Sequence, residues 1–285
     1  MSNKRRNRNG LFIIDWQNDF APTGAFTGDL GNMPNQTTKV AQLINDNTDV
    51  IDFIGATQDT HQPVDCSHPI WWAHSDGTPF DPAKDIYINI AAQDVKDGKF
   101  VPRLAARETL AYLENLEKNG EYIHTIWPRH CIKGSEGQAF VPEFQTALEQ
   151  WAEHNLLWFQ VHQKGEHPLT EHYGALRANV PIPNQPSTTI SYGQNFLAKF
   201  ANMQRIYFFG QARTHCVCNT LKQIIQVAPD LLKKFYIIED LMDDVPGLPQ
   251  SFMDDVKSVF DEAIQLGATF VTSDNPQFIG AGATV

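Results

Sequence analysis

Apolar positions along this chain fall into two alternating kinds of segment. Short runs rich in β-branched and aromatic residues, at Leu11–Ile14, Val50–Thr57, Tyr122–Ile126, Leu156–Val161, Ile206–Phe209, Phe235–Ile238 and Thr269–Val271, read as strands. Between most of them the apolar positions recur with a period of about 3.6, which predicts helices over Thr37–Asn45, Ala105–Lys118, Pro142–His154, Gln194–Phe200, Val217–Val227 and Gln250–Leu266. Strands and helices in that order imply parallel strands joined by helical crossovers. The expected fold is an α/β three-layer sandwich, with a mostly parallel central sheet of about six strands and helices on both faces. Two segments break the rhythm: residues 62–103, rich in Pro, Asp and Trp, and residues 165–190, which carry Pro168, Pro181, Pro183 and Pro186. Stretches that long inside a compact domain tend to be lids or binding loops. Both are expected as insertions in a single domain over 10–285, behind a disordered basic tail over 1–9.

In an open α/β sheet, ligands bind outside the carboxyl ends of the strands. Asp15 ends the first strand, Asp59 and His61 follow the second, His130 the third, Lys164 the fourth and Cys216 the fifth. Six chemically capable side chains are thus predicted to converge on one sheet edge. Cys216 lies between the Ile206–Phe209 run and a helix expected to begin near Val217. A cysteine placed there meets free N–H groups and the positive end of the helix dipole, which favour a thiolate. The same position also suits a half-buried structural cysteine.

Composition narrows the functional classes. The formal net charge is −11, which argues against a nucleic-acid surface. The basic cluster Lys4-Arg5-Arg6-Arg8 belongs to the terminal tail, and the apolar run behind it is interrupted by Asp15, unlike a secretory signal. No stretch approaches the ~20 apolar residues of a membrane span. Four cysteines in 285 residues, two of them at 216 and 218, do not make a disulfide framework. A soluble cytoplasmic protein with reduced thiols is the expectation.

Several motifs together resemble the cysteine hydrolases of the isochorismatase-like superfamily, and among them the nicotinamidases. They are I-I-D-x-Q-x-D-F at Ile13 to Phe20, D-x-H at Asp59 to His61, W-P-x-H-C at Trp127 to Cys131, K-G at Lys164 and Gly165, and G-x-A-x-x-x-C-V-x-x-T from Gly210 to Thr220. The resemblance spans nearly the whole chain. It implies Cys216 as nucleophile, Asp15 as its base and Lys164 as third member, with an ammonium stabilising thiolate and carboxylate alike. It also implies an oxyanion hole from the backbone N–H groups of Ala212 and Cys216, aimed by a cis peptide bond between Gln211 and Ala212. Phe20 and Trp127 match positions that pack around an aromatic substrate ring, and Tyr173 is a further candidate for substrate contact.

Asp59 and His61 are two apart on an extended segment, so they leave the same face and can share one ion. His130 would complete a set of two imidazoles and a carboxylate, suited to zinc, with iron or manganese as alternatives. In the nicotinamidases, metal at the matching positions binds the pyridine nitrogen. The bland alternative is that His61 and His130 cap loops. Arg129 and Lys133 are expected to face solvent and Cys131 and Cys218 to have no chemical task; for His215 the readings are a bland packing role and modulation of the thiol.

One departure bears on substrate. Nicotinamidases usually carry D-W-H followed by H-x-S-F, whereas here Asp59-Thr60-His61 precedes Ser67-His68-Pro69-Ile70-Trp71-Trp72. His68 and His74 are expected on a surface loop, with service as alternative ligands or on the polar side of the pocket the sharper option. The aromatics of 62–103 would close over the site or extend an oligomer interface. The implied activity is hydrolysis of nicotinamide to nicotinate and ammonia by a homo-oligomer. Alternatives are a family hydrolase of another small amide or carbamoyl compound, or a non-catalytic ligand-binding homologue.

Overall fold

The computed structural model describes residues 8–26 and 33–280. Its central sheet has six strands, all parallel, in the order β10-β9-β8-β1-β2-β7. These are β1 (Asn9–Ile14), β2 (Ile51–Asp59), β7 (Gln160–Lys164), β8 (Arg205–Gly210), β9 (Phe235–Ile238) and β10 (Thr269–Val271). Every residue of β1 is buried, as a strand covered on both faces requires. Neighbouring residues of β8 show the two covered faces. Phe208 meets Phe12, which packs on Phe196 and Phe200, while Phe209 meets Trp16 and, beyond it, Phe144. Phe196 lies on α5 (Ile190–Leu197) and Phe144 on α4 (Pro142–Asn155), so one helix covers each face. On the α5 side Gly55 admits the rings, since a Cβ there would lie 2.7 Å from Phe200. The remaining helices are α1 (Met33–Asp46), which packs on α4, then α2 (Ala92–Lys96), α3 (Ala106–Lys118), and α6 (Cys218–Val227), which packs on α7 (Gln250–Gln265).

Three expectations need correction. The run at Tyr122–Ile126 yields only β6 (His124–Ile126), which stays out of the central sheet and pairs antiparallel with β4 (Ile88–Ile90). The strand expected at Leu156–Val161 begins four residues later: Leu156 is the left-handed C-cap of α4, 87% exposed, and Trp158 is 63% exposed. Of the basic tail, residues 1–7 lie outside the described residues. Arg8 is buried in a two-pronged pairing with Asp52, and Asn9 opens β1.

The segment 62–103 builds a second, smaller core. Trp71, Trp72, Phe80 and Phe100 pack with Tyr112, Leu113 and Leu116 of α3, beside a short antiparallel pair of β3 (Trp72–His74) and β5 (Phe100–Pro102). Their rings are therefore spent on holding this segment together. Tyr87, partly exposed, reaches Trp127 edge-on at 5.9 Å. Among the described residues no helix is long and apolar enough to cross a membrane, and all four cysteines are unpaired.

Candidate active site

Chain order in the sheet reverses between β1 and β8: the chain runs from β1 to β2 on one side and from β8 through β9 to β10 on the other. Such a switch point opens a crevice at the carboxyl ends of the strands. Asp15 sits there, one residue beyond β1, in a left-handed conformation (φ 48°). Its Oδ1 accepts a hydrogen bond from Thr57 Oγ1 at 2.6 Å, and its own N–H donates back to that oxygen at 3.0 Å. Asp59 and Lys164 are register partners across β2 and β7, which brings the lysine to the same crevice.

From β8 the chain leaves through Gly210 (φ 141°), where a Cβ would lie 2.1 Å from the Ile14 carbonyl oxygen. The next peptide bond, Gln211–Ala212, is cis. Residues Arg213–Val217 form a π-helical turn ahead of α6, and Cys216 lies within it, 6% exposed. The sequence places Cys216 at the start of an ordinary helix; the wider turn is a local feature of the kind often found at functional sites.

Lys164 joins these groups. Its Nζ lies 2.9 Å from Asp15 Oδ2, 3.1 Å from Asp59 Oδ1 and 3.5 Å from Cys216 Sγ, and it donates to the His172 carbonyl at 3.0 Å. Burial would lower the lysine, but Asp15 and Asp59 hold its ammonium well above the ordinary range. Burial raises Asp15 against the pull of Lys164, with Asp59 adding to the rise. Cys216 is pushed well up by burial, relieved in part by Lys164 and reinforced by Asp15 and Asp59. The resting thiol thus keeps its proton, the reverse of the thiolate expected from a helix N-terminus. Desolvation outweighs the dipole when a thiol is this deeply buried.

Asp59, His61 and His130 also come together. Asp59 Oδ2 is 3.1 Å from His61 Nε2 and 3.2 Å from His130 Nε2. Burial would raise Asp59, yet Lys164 and His61, with contacts from both imidazoles, hold it well below the usual carboxylate range. His130 is brought in because the loop after β6 runs beside the end of β2: His61 N–H donates to the Cys131 carbonyl, and Lys133 N–H to the His61 carbonyl. Gln17 clamps Asp59 from both sides of its peptide, accepting its N–H at 2.7 Å and donating to its carbonyl at 2.8 Å.

These three residues fit a divalent ion. Donor atoms sharing an ion with bonds of about 2.1 Å lie roughly 3.0–3.4 Å apart, which brackets the two separations from Asp59 Oδ2. His130 Nδ1 is 2.8 Å from the Pro128 carbonyl, a bond that needs the proton on Nδ1 and so presents an Nε2 lone pair to the Asp59 carboxylate. Two lone pairs facing each other in a buried site call for a cation or a proton between them.

His68 departs from expectation. It is fully buried, with Nε2 3.1 Å from His130 Nδ1, and the ring nitrogens of His61, His68 and His130 fall within 4.8 Å of one another. His68 Nε2 faces Nδ1 of His130, whereas Asp59 Oδ2 faces its Nε2. His74 stays partly exposed and pairs with Asp85. Asp65, unremarked in the sequence, lies 3.3 Å from His61 Nδ1.

A cleft of about 410 Å³, counted to the open solvent, lies over Cys216. Phe20, Phe26, Trp127, Tyr173, His215 and Val245 form its walls, with Asp59, His130, Glu171 and Ala212 at its polar edges. Phe20, Trp127, Tyr173 and Ala212 all line this cleft. Trp127 Nε1 donates to the Tyr173 hydroxyl at 2.8 Å. Phe26 lies in a turn-rich stretch whose sequence carries no periodicity to mark it, yet it stacks on Phe20 and its ring centre stands 4.8 Å from that of His130. His215 is a wall ring kept neutral by burial, its pKa pushed down to about 3. Arg129 and Lys133 are exposed, as expected. The Cys131 N–H donates to Asp19 Oδ2 at 2.6 Å, and Cys218 is buried beside the Tyr122 hydroxyl.

No protein-family model matches the sequence, and no curated protein matches it. Solved structures do. Yeast nicotinamidase Pnc1p aligns over 92% of this chain and 99% of its own at 19% identity, with a TM-score of 0.57. A nicotinamidase/pyrazinamidase of Acinetobacter baumanii aligns over 95% and 99% at 19% identity, TM-score 0.56. PnC1 from L. infantum, in complex with nicotinate, aligns over 94% of each chain at 19% identity, TM-score 0.52. At such identities the likeness establishes a shared fold, and it does so over nearly the full length.

Proposed function

We propose that the protein is an isochorismatase-like cysteine hydrolase that cleaves the C–N bond of a small aromatic carboxamide, with nicotinamide the leading substrate. The observation that carries this reading is the Lys164 ammonium in simultaneous contact with Asp15, Asp59 and Cys216. A buried lysine held among two carboxylates and a thiol keeps one transferable proton within reach of the sulfur. The shared fold with nicotinamidases supports the reading independently of that geometry.

In this scheme the amide lies flat among Phe20, Trp127 and Tyr173 with its carbonyl carbon over Cys216. Asp15 takes the thiol proton as sulfur attacks, so the thiolate exists only when it is needed. Charge on the former carbonyl oxygen is met by the backbone N–H groups of Ala212 and Cys216. Asp15 returns its proton to the departing nitrogen, ammonia leaves, and a thioester remains on Cys216. Asp15 then deprotonates the water that hydrolyses it. A divalent ion held by Asp59, His61 and His130 would supply a Lewis-acidic anchor for the ring nitrogen.

Ammonia release from nicotinamide, measured for the wild type and Cys216→Ala, tests the scheme. Turnover by the wild type and a loss of at least about 10³-fold in the variant are expected. Full activity without the sulfur would overturn it.

A further inference from the structure

Glu171 has no part in that scheme, yet its side chain is on the wall of the same cleft. It is 5% exposed, and its Oε2 has no hydrogen-bond partner among the described residues. The other oxygen, Oε1, accepts the His172 N–H at 2.8 Å. The backbone cannot swing to find a donor. The Glu171 N–H is bonded to the Tyr112 hydroxyl at 3.2 Å, and its carbonyl accepts the Asn179 N–H at 2.8 Å. A buried carboxylate oxygen without a donor is expensive, and such a group calls for a partner. Glu171 lines the cleft, and the neighbouring wall is apolar, formed by Trp127 and Tyr173.

We propose that Glu171 is a specificity residue whose free carboxylate oxygen accepts a hydrogen bond from the substrate, so that the preferred substrate is an aromatic carboxamide bearing an amino or hydroxyl substituent on its ring. This rests on the hydrolase reading above and sharpens its substrate class. Nicotinamide offers no donor apart from the carboxamide that reacts. A ring amino or hydroxyl group would supply one at a position the leaving nitrogen does not occupy. A site built to hydrogen-bond a substrate group discriminates strongly against the analogue lacking it, because the buried partner is then left unpaired.

Binding and turnover separate the two claims. Binding of nicotinamide and of its amino- and hydroxyl-substituted derivatives to Cys216→Ala, measured by calorimetry, should show the best donor-bearing amide about 10- to 100-fold tighter than the parent. In Cys216→Ala/Glu171→Leu that ratio should fall to near one. In Cys216→Ala/Glu171→Gln, which keeps an acceptor oxygen without the charge, it should be intermediate. A ratio unmoved by Glu171→Leu, or an equal loss for every amide including the parent, would overturn the proposal, the second outcome giving Glu171 to the carboxamide itself. Absence of binding by the whole panel would overturn it too. Ammonia release by the otherwise wild-type enzyme reads the other claim: tight, Glu171-dependent binding with no release sinks the hydrolase scheme and leaves the specificity assignment standing.

Discussion

At the scale of single residues, the proposed base is tuned by a hydroxyl. Thr57 fixes Asp15 through two hydrogen bonds, and its donation to Oδ1 lowers the Asp15 pKa against a net rise caused by burial. Activity requires ionised Asp15, so the acid limb of kcat should have its midpoint above the ordinary carboxylate value of 3.8. Thr57→Val removes the lowering contribution and the orientation together. Its acid limb should move further up in pH, with kcat down about 10- to 100-fold and KM changed far less. An unmoved limb would show that Thr57 is merely structural. Asp15, Lys164 and Cys216 were legible in the sequence because each is a reactive type near a strand's carboxyl end: one residue past β1, the last residue of β7, and in the turn after β8. Phe26, Asp65 and Glu171 were not, and His68 only as the sharper of two options, since each sits in irregular chain whose path is set by distant contacts.

Among elements, the exit from β8 is the most constrained. Gly210 has a backbone conformation closed to other residues and lies against the Ile14 carbonyl of β1. Gly210→Ala should cost about 2–4 kcal/mol of stability and displace the Arg213–Val217 turn that carries Cys216. Urea denaturation measures the first effect and ammonia release the second; a variant as stable as wild type would contradict the packing described here. The misjudged strands have a common cause. Leu156 and Trp158 continue an apolar run into exposed chain, and Tyr122–Ile126 pairs with the 62–103 segment instead of the sheet. An apolar run states a preference for burial but does not name the surface that will bury it.

For the molecule as a whole, buried neutral histidines should govern acid stability. Burial pushes His215 down to about 3, and His124 and His162 to about 4, from 6.5. The folded values are depressed, so the unfolded chain gains protons first. The associated stability is complete above pH 6.5 and is lost as pH falls toward about 4, by up to about 1.4 kcal/mol per pH unit for each histidine. The urea midpoint should therefore drop between pH 7 and pH 5. His162→Gln, which keeps a donor for the Ala175 carbonyl, should flatten the slope. A midpoint independent of pH across that interval would refute the account.

The amino-acid sequence by itself determined the alternation of strands and helices, the parallel sheet and the set of reactive groups at its carboxyl edge, because these follow from periodicity and from local order along the chain. The tertiary structure decided the rest. Only folding sets Lys164 between two carboxylates and Cys216, deep enough that burial keeps the thiol protonated. Only folding turns His68 inward and leaves an oxygen of Glu171, a cleft-lining residue, without a partner among the described residues. Those outcomes depend on which segments exclude water from one another, and that is a property of the packed chain.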